Sequence, residues 1–188
     1  MNAALLALLG AGLVAASFRT TAAPGLAGVA YQLDAGAVYN LAREMSARHF
    51  PDVDPLMLTA MAEIESGFQP GAVRNEPHVK NRYAQNGDAS IGLMQTLFST
   101  AKWLRNDQGQ GAYVLSRGDD LMDPQTSMYF GGSYVQWLMT YQGEVRSEAW
   151  IVMSYNGGPG ADNQATRHHW EKYQAAKLRL RSVLADLI

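Results

Sequence analysis

Asp54-Pro55 and Gly67 bracket the stretch that most constrains this chain. Aspartate followed by proline is an N-cap with proline at the first helical position, and glycine is the usual helix stop, so the pair predicts a helix from Pro55 to Ser66. Leu58, Met61, Ala62 and Glu65 fall at i, i+3, i+4 and i+7, one face of that helix. The face is apolar until its last turn, where it presents a carboxylate. A carboxyl at the end of a buried stripe suits a general acid, because loss of water favours the protonated form. Glu63, two positions back, is expected to point away into solvent. From the pattern alone, a glutamate near a helix end is more often a solvated or hydrogen-bonded surface residue than a catalytic one.

The remaining elements follow from the same signals. Val38, Leu41, Ala42 and Met45 mark a helix over Ala37 to His49, bounded by Pro51. Gly71 to Ala89 is polar and reads as a long loop, with room for a short hairpin. Helices are expected over Thr96 to Arg105, from Asp123-Pro124 to about Tyr141, over Glu148 to Tyr155, and over Arg167 to Leu187. No stretch alternates clearly enough for a long strand, so the fold class is mostly α. The domain is expected over residues 37–188, with residues 20–36 as a linker containing Pro24.

Residues 1–19 stand apart. Met1 to Phe18 holds no charged side chain, and as a helix it would span roughly 27 Å. It reads as an N-terminal hydrophobic helix, either crossing a membrane or buried against other protein, or as an export signal. Arg19 follows the apolar run, the wrong order for an ordinary signal. That order favours an uncleaved segment.

Composition narrows the function. The chain has 188 residues, 47% of them apolar and 17% charged, which is the balance of a folded domain. Net charge is −2, so no global field attracts nucleic acid. There is no cysteine, which removes thiol chemistry and sulfur-ligated metals. The histidines His49, His78, His168 and His169 include no i, i+4 pair and no HExxH, and no G-x-S-x-G occurs. Neither a metal nor another cofactor is expected. Arg167 to Arg181 carries five Lys and Arg residues beside Glu171, either a solvated face or a contact for anionic envelope polymers.

Three further segments accompany Glu65-Ser66-Gly67-Phe68-Gln69-Pro70 in order. They are Ser90-Ile91-Gly92-Leu93-Met94-Gln95, then Met122-Asp123-Pro124 with Gly131-Gly132-Ser133-Tyr134, then Ser154-Tyr155-Asn156-Gly157-Gly158-Pro159-Gly160. Together they resemble the soluble lytic transglycosylase (SLT) domain, the goose-lysozyme-like branch of the lysozyme superfamily, over roughly Ala37 to Asn163. The resemblance implies a lysozyme-like α fold and cleavage of the MurNAc–GlcNAc β-1,4 bond of peptidoglycan glycan strands. Glu65 would be the catalytic residue, first as acid and then as base toward the muramoyl C6 hydroxyl, closing a 1,6-anhydro ring. It also implies that the Tyr155 hydroxyl lies near Glu65 and orients it. Asn156 and the Gly157-Gly158 backbone would shape the groove, while Gln95, Met94, Gly92 and Ser90 would meet the sugar.

This sequence departs from that pattern at one point. Well-known members carry serine where Arg74 stands, nine positions after Glu65 (74 − 65), so Arg74 or Asn75 is expected to replace its contacts. The segment Asn75 to Asp88 is longer than in the shortest members, and its His78, Lys80, Arg82 and Tyr83 would either contact the peptide stem or be solvated. Asp88, Asp119 and Asp120 are candidates for a hydrolytic base, or else turn and cap residues. Two rivals therefore stay open: a hydrolytic lysozyme, and an inactive lysozyme-like glycan-binding component. Location is expected at the cell envelope or in a bacteriophage particle. Residues 1–18 would supply the contact with membrane or with virion or envelope-complex proteins.

Overall fold

The computed structural model describes residues 32–188, so the apolar segment 1–18 and residues 20–31 of the expected linker lie outside the described residues. Helix α1 (Ala35–His49) is capped by Asp34, whose side chain accepts from Ala37 N at 2.7 Å. It begins two residues before Ala37. The expected linker therefore runs too far: Asp34 is a cap, and Leu33 N donates to Phe68 O at 3.0 Å, tying the approach to the next helix end.

Helix α2 (Pro55–Ser66) has the predicted bounds, with Asp54 accepting from Leu56 N at 2.9 Å and Gly67 closing it at φ +60°. Every residue from Leu56 to Ala62 is buried. A helix apolar all round belongs in the middle of a domain, and α2 holds that place.

The segment after α2 is more ordered than a loop. Strands β1 (Val73–Glu76), β2 (Asp88–Ile91) and β3 (Thr96–Leu97) form an antiparallel sheet, with Val73 opposite Ile91 and Ile91 opposite Thr96. Residues 77–87 turn back along α3 (Phe98–Asp107) and are fastened to it. Asn81 Nδ2 donates to Ser99 Oγ at 2.8 Å, Tyr83 donates to Asp107, and Arg82 pairs with Asp107. His78 and Lys80 are exposed.

A 3-10 turn at Gly118–Met122 leads to α4 (Pro124–Met139), capped by Asp123, whose carboxylate accepts from Thr126 N at 2.8 Å. Gly131 and Gly132 sit in its middle because there is no room for a methyl. A Cβ at Gly131 would lie 2.5 Å from the Met94 side chain, and one at Gly132 would overlap the Phe50 ring. Helices α5 (Glu148–Gly157) and α6 (Gln164–Val183) complete the domain.

Helix α6 packs along α2, and two of its basic residues, Lys177 and Arg179, are spent on that contact. Lys177 reaches Asp54 at 3.0 Å and Glu148 at 2.6 Å, and Arg179 pairs with Glu63. Arg167 pairs with Asp162 at 2.6 Å, leaving Lys172 and Arg181 exposed. Glu63 is therefore not the solvated residue expected from its spacing, because α6 covers that side of α2. Among the described residues, no helix is long and apolar enough to cross a membrane.

Candidate active site

A cleft of about 370 Å³ opens between the sheet and the ends of α2 and α5. Glu65, Arg74, Glu76, Ser90, Gln95, Thr96, Tyr134, Tyr155 and Asn156 line it together with Gly157 and Gly158. Six of the eight residues singled out in the sequence thus share one surface although they span 92 positions of the chain (156 − 65 + 1).

Glu65 occupies the last turn of α2 and its side chain is only 6% exposed. Ser66, next to it, donates to Leu93 O at 2.8 Å and so fixes the helix end to the loop between β2 and β3. That loop is tight. Gly92 has φ +83° and Gln95 φ +44°, with Gln95 N donating to Gly92 O at 3.2 Å. Both amide hydrogens of Gln95 are used internally, on Ala72 O and Gly92 O, each at 3.0 Å. Its side-chain carbonyl remains for the cleft.

Two expectations are corrected here. Met94 does not form the groove wall: its side chain is fully buried against Gly131, and the residue serves the site through its carbonyl. Gly92 is not among the residues that line the cleft. It lies against the Gly118–Met122 turn, where a Cβ would overlap Leu121 O and stand 2.6 Å from Ser127 Oγ.

Tyr155 lines the cleft beside Tyr134, ring centroids 5.3 Å apart, yet its hydroxyl does not bond to Glu65. It donates to Met94 O at 2.8 Å and meets Thr96 Oγ1 at 3.1 Å. Burial, with the Glu65 charge adding to it, pushes the Tyr155 hydroxyl well above the ordinary phenol range. Burial likewise raises Tyr134, to about 12. Both phenols stay protonated, and Tyr155 stays a donor, through neutrality.

Arg74 holds a second carboxylate of the cleft, Glu76, at 2.5 Å, and Ser90 Oγ donates to the same oxygen at 3.4 Å. Glu76 is not among the residues expected from the sequence. Its signal was the spacing Arg74-x-Glu76, which puts both on one face of a strand. The other carboxylates considered as bases have structural tasks. Asp88 accepts from Ala89 N at 2.8 Å and Ser99 N at 3.1 Å, while Asp120 accepts from Ser116 N and Arg117 N, bonds that hold its carboxyl below the usual range. Neither these two nor Asp119 lines the cleft.

The transglycosylase SLT domain family matches residues 44–177, most of the chain and all of this cleft. The chain belongs to that family. Its fold is similar to that of the 70-kDa soluble lytic transglycosylase of Escherichia coli, at TM-score 0.59 and 22% identity over 77% of this chain. A second structure of the 70-kDa soluble lytic transglycosylase, in complex with bulgecin A, matches at TM-score 0.50 and 21% identity, again over 77% of this chain. The chain spans only 24% and 21% of those two chains, so the likeness is to one domain of a larger protein. No curated protein matches it in sequence.

Proposed function

We propose that this SLT domain is a peptidoglycan lytic transglycosylase that cleaves the MurNAc–GlcNAc β-1,4 bond without consuming water. The carrying observation is the unequal state of the two cleft carboxylates. Glu76 is committed to Arg74 and Ser90, whereas Glu65 sits at a helix end, largely desolvated, with no arginine or lysine paired to it among the described residues. A glycosidase that works through a carboxylate pair sets one group to give the proton and the other to attack the sugar or activate water. Here one group serves twice. Protonated Glu65 gives its proton to the leaving oxygen as the C1–O bond breaks, and the substrate's N-acetyl group stabilises the cation. The Glu65 carboxylate then takes the C6 hydroxyl proton as O6 bonds to C1, which restores the acid. Gln95, Asn156 and the Gly157-Gly158 backbone supply polar contacts along the glycan.

Mass spectrometry of digested glycan tests the chemistry. Each cut is expected to yield an anhydro-muramoyl end one water lighter than the hydrolytic product. Reducing-end muramic acid would establish the lysozyme alternative instead. A wild-type protein that binds glycan but leaves it uncut over a range of pH and salt would establish the inactive glycan-binding one.

We further propose that residues 1–18 deliver the enzyme to the wall, in a virion-associated setting rather than by ordinary export. The order of the apolar run and Arg19 supports this. Removal of Met1 to Phe18 is expected to spare glycan cleavage and abolish particle or membrane association. A mature N-terminus between Ser17 and Pro24 would show a cleaved signal and overturn the idea.

A further inference from the structure

Helix α6 brings one more polar group to the catalytic carboxylate. Nε2 of His169 lies 3.2 Å from Oε1 of Glu65, with the two side chains 11% and 6% exposed. His169 Nε2 is buried and, its contact with Glu65 lacking the alignment of a full hydrogen bond, has no hydrogen-bond partner among the described residues. Among the described residues the Glu65 carboxylate accepts no backbone or side-chain hydrogen bond, and His169 is the polar group set against its Oε1. Three other donors of the cleft are engaged elsewhere. Tyr155 is engaged with Met94 O and Thr96, Gln95 with Ala72 O and Gly92 O, and Arg74 with Glu76.

We infer that His169 is a positioning residue for Glu65, holding Oε1 so that Oε2 carries the proton in both transfers. The inference rests on Glu65 being the general acid. A neutral imidazole with its hydrogen on Nε2 donates to Oε1 whether the carboxyl is protonated or ionised. Oε2 then gives its proton to the glycosidic oxygen and later receives the C6 hydroxyl proton, and His169 neither gains nor loses one. Catalytic contacts that are misaligned in an empty site commonly tighten when substrate fills it. The rest of α6 holds the histidine in place: Lys177 and Arg179, both further along, anchor the helix to Asp54 and Glu63. Its neighbour His168 is exposed and pairs with Glu171 on the same helix, at 3.3 Å.

The test uses the full chain on soluble peptidoglycan fragments, with kcat and KM measured separately and products weighed. His169→Phe keeps a flat ring but cannot donate, and kcat is expected to fall about ten- to a hundredfold, the scale of a misplaced reacting group, with KM little changed. His169→Gln puts an amide N–H near the position of Nε2 and is expected to recover most of that loss. His169→Asn, one bond shorter, is not. If His169→Phe proves poorly folded, His169→Ala assayed with added imidazole replaces it, and rescue is expected. Wild-type kcat in His169→Phe, or equal impairment of the Gln, Asn and Phe variants at unchanged thermal stability, would overturn the inference, as would a folded Ala variant that imidazole does not rescue. Hydrolytic products from a wild type that still depends on His169 would overturn the transglycosylase reading and leave the positioning role standing. A wild type that cuts no glycan would overturn both.

Discussion

The Tyr155 hydroxyl donates to the Met94 carbonyl at 2.8 Å and lies 3.1 Å from Thr96 Oγ1, so one buried phenol on α5 holds the exit of the Gly92–Gln95 loop against the cleft. Tyr155→Phe leaves Met94 O without its donor. A buried acceptor stripped of its partner costs about 1–3 kcal/mol, and thermal denaturation is expected to show a loss of that order. Activity should fall only modestly, because the hydroxyl acts on the loop and not on the reacting carboxyl. A loss of rate exceeding that of Glu65→Gln would reverse the roles assigned to the two residues.

Glu65→Gln keeps the size of the side chain and removes the transferable proton. A fall in rate of at least about two orders of magnitude is expected, typical of a lost general acid, with glycan binding retained in a pull-down on insoluble wall. Glu76→Gln provides the contrast. Because Glu76 is engaged with Arg74, its loss should alter KM more than kcat and leave the products unchanged. If Glu76→Gln is as inactive as Glu65→Gln, the cleft works through a carboxylate pair and the single-acid mechanism fails.

The sequence was most legible where local chemistry decides the structure. Asp54-Pro55 and Gly67 gave the bounds of α2, because capping depends on residues next to one another. It was least legible where an element distant in the chain intervenes. Nothing around Glu63 or Glu65 announces α6, about a hundred positions later, yet α6 turns Glu63 into an ion-pair partner and sets His169 beside Glu65. Two adjacent histidines on a basic helix carry no periodic signal that separates the inward one from the outward one. The β1–β2 pairing was hidden by composition: Val73-Arg74-Asn75-Glu76 has one apolar residue, and its strand forms because a partner lies beside it. Motif position also misled in part. Gly92 and Met94 belong to the segment that resembles the family, but the contacts here show them serving packing.

Gly92→Ala tests that last distinction. The position combines φ +83° with a Cβ that would overlap the backbone carbonyl of Leu121. Left-handed strain and overpacking each cost about 1–3 kcal/mol, and backbone cannot move aside as a flexible side chain can. The variant is expected to unfold at markedly lower temperature or denaturant concentration. Retained stability with lost glycan binding would return Gly92 to the role of a substrate contact.

His49 gives the fold a pH dependence of its own. It is the last residue of α1, edge-on to the Tyr129 ring at 5.0 Å and near Tyr113 at 6.0 Å, with Nε2 buried and unpartnered among the described residues. Burial, and secondarily the adjacent Arg48, lower its pKa below the ordinary value of 6.5. The folded protein therefore favours neutral imidazole. In the unfolded chain His49 takes up its proton near pH 6.5, so the contribution to stability is full above that pH and is lost as pH falls from 6.5 toward the lowered folded value. Melting temperature is expected to decline from pH 7 to pH 5 in the wild type. His49→Phe, which keeps an aromatic ring in the cluster and removes the titrating group, is expected to flatten that decline while leaving the steeper carboxylate-driven loss at lower pH. Parallel melting curves for the two proteins from pH 7 to 5 would show that His49 titrates alike in both states and sink the prediction.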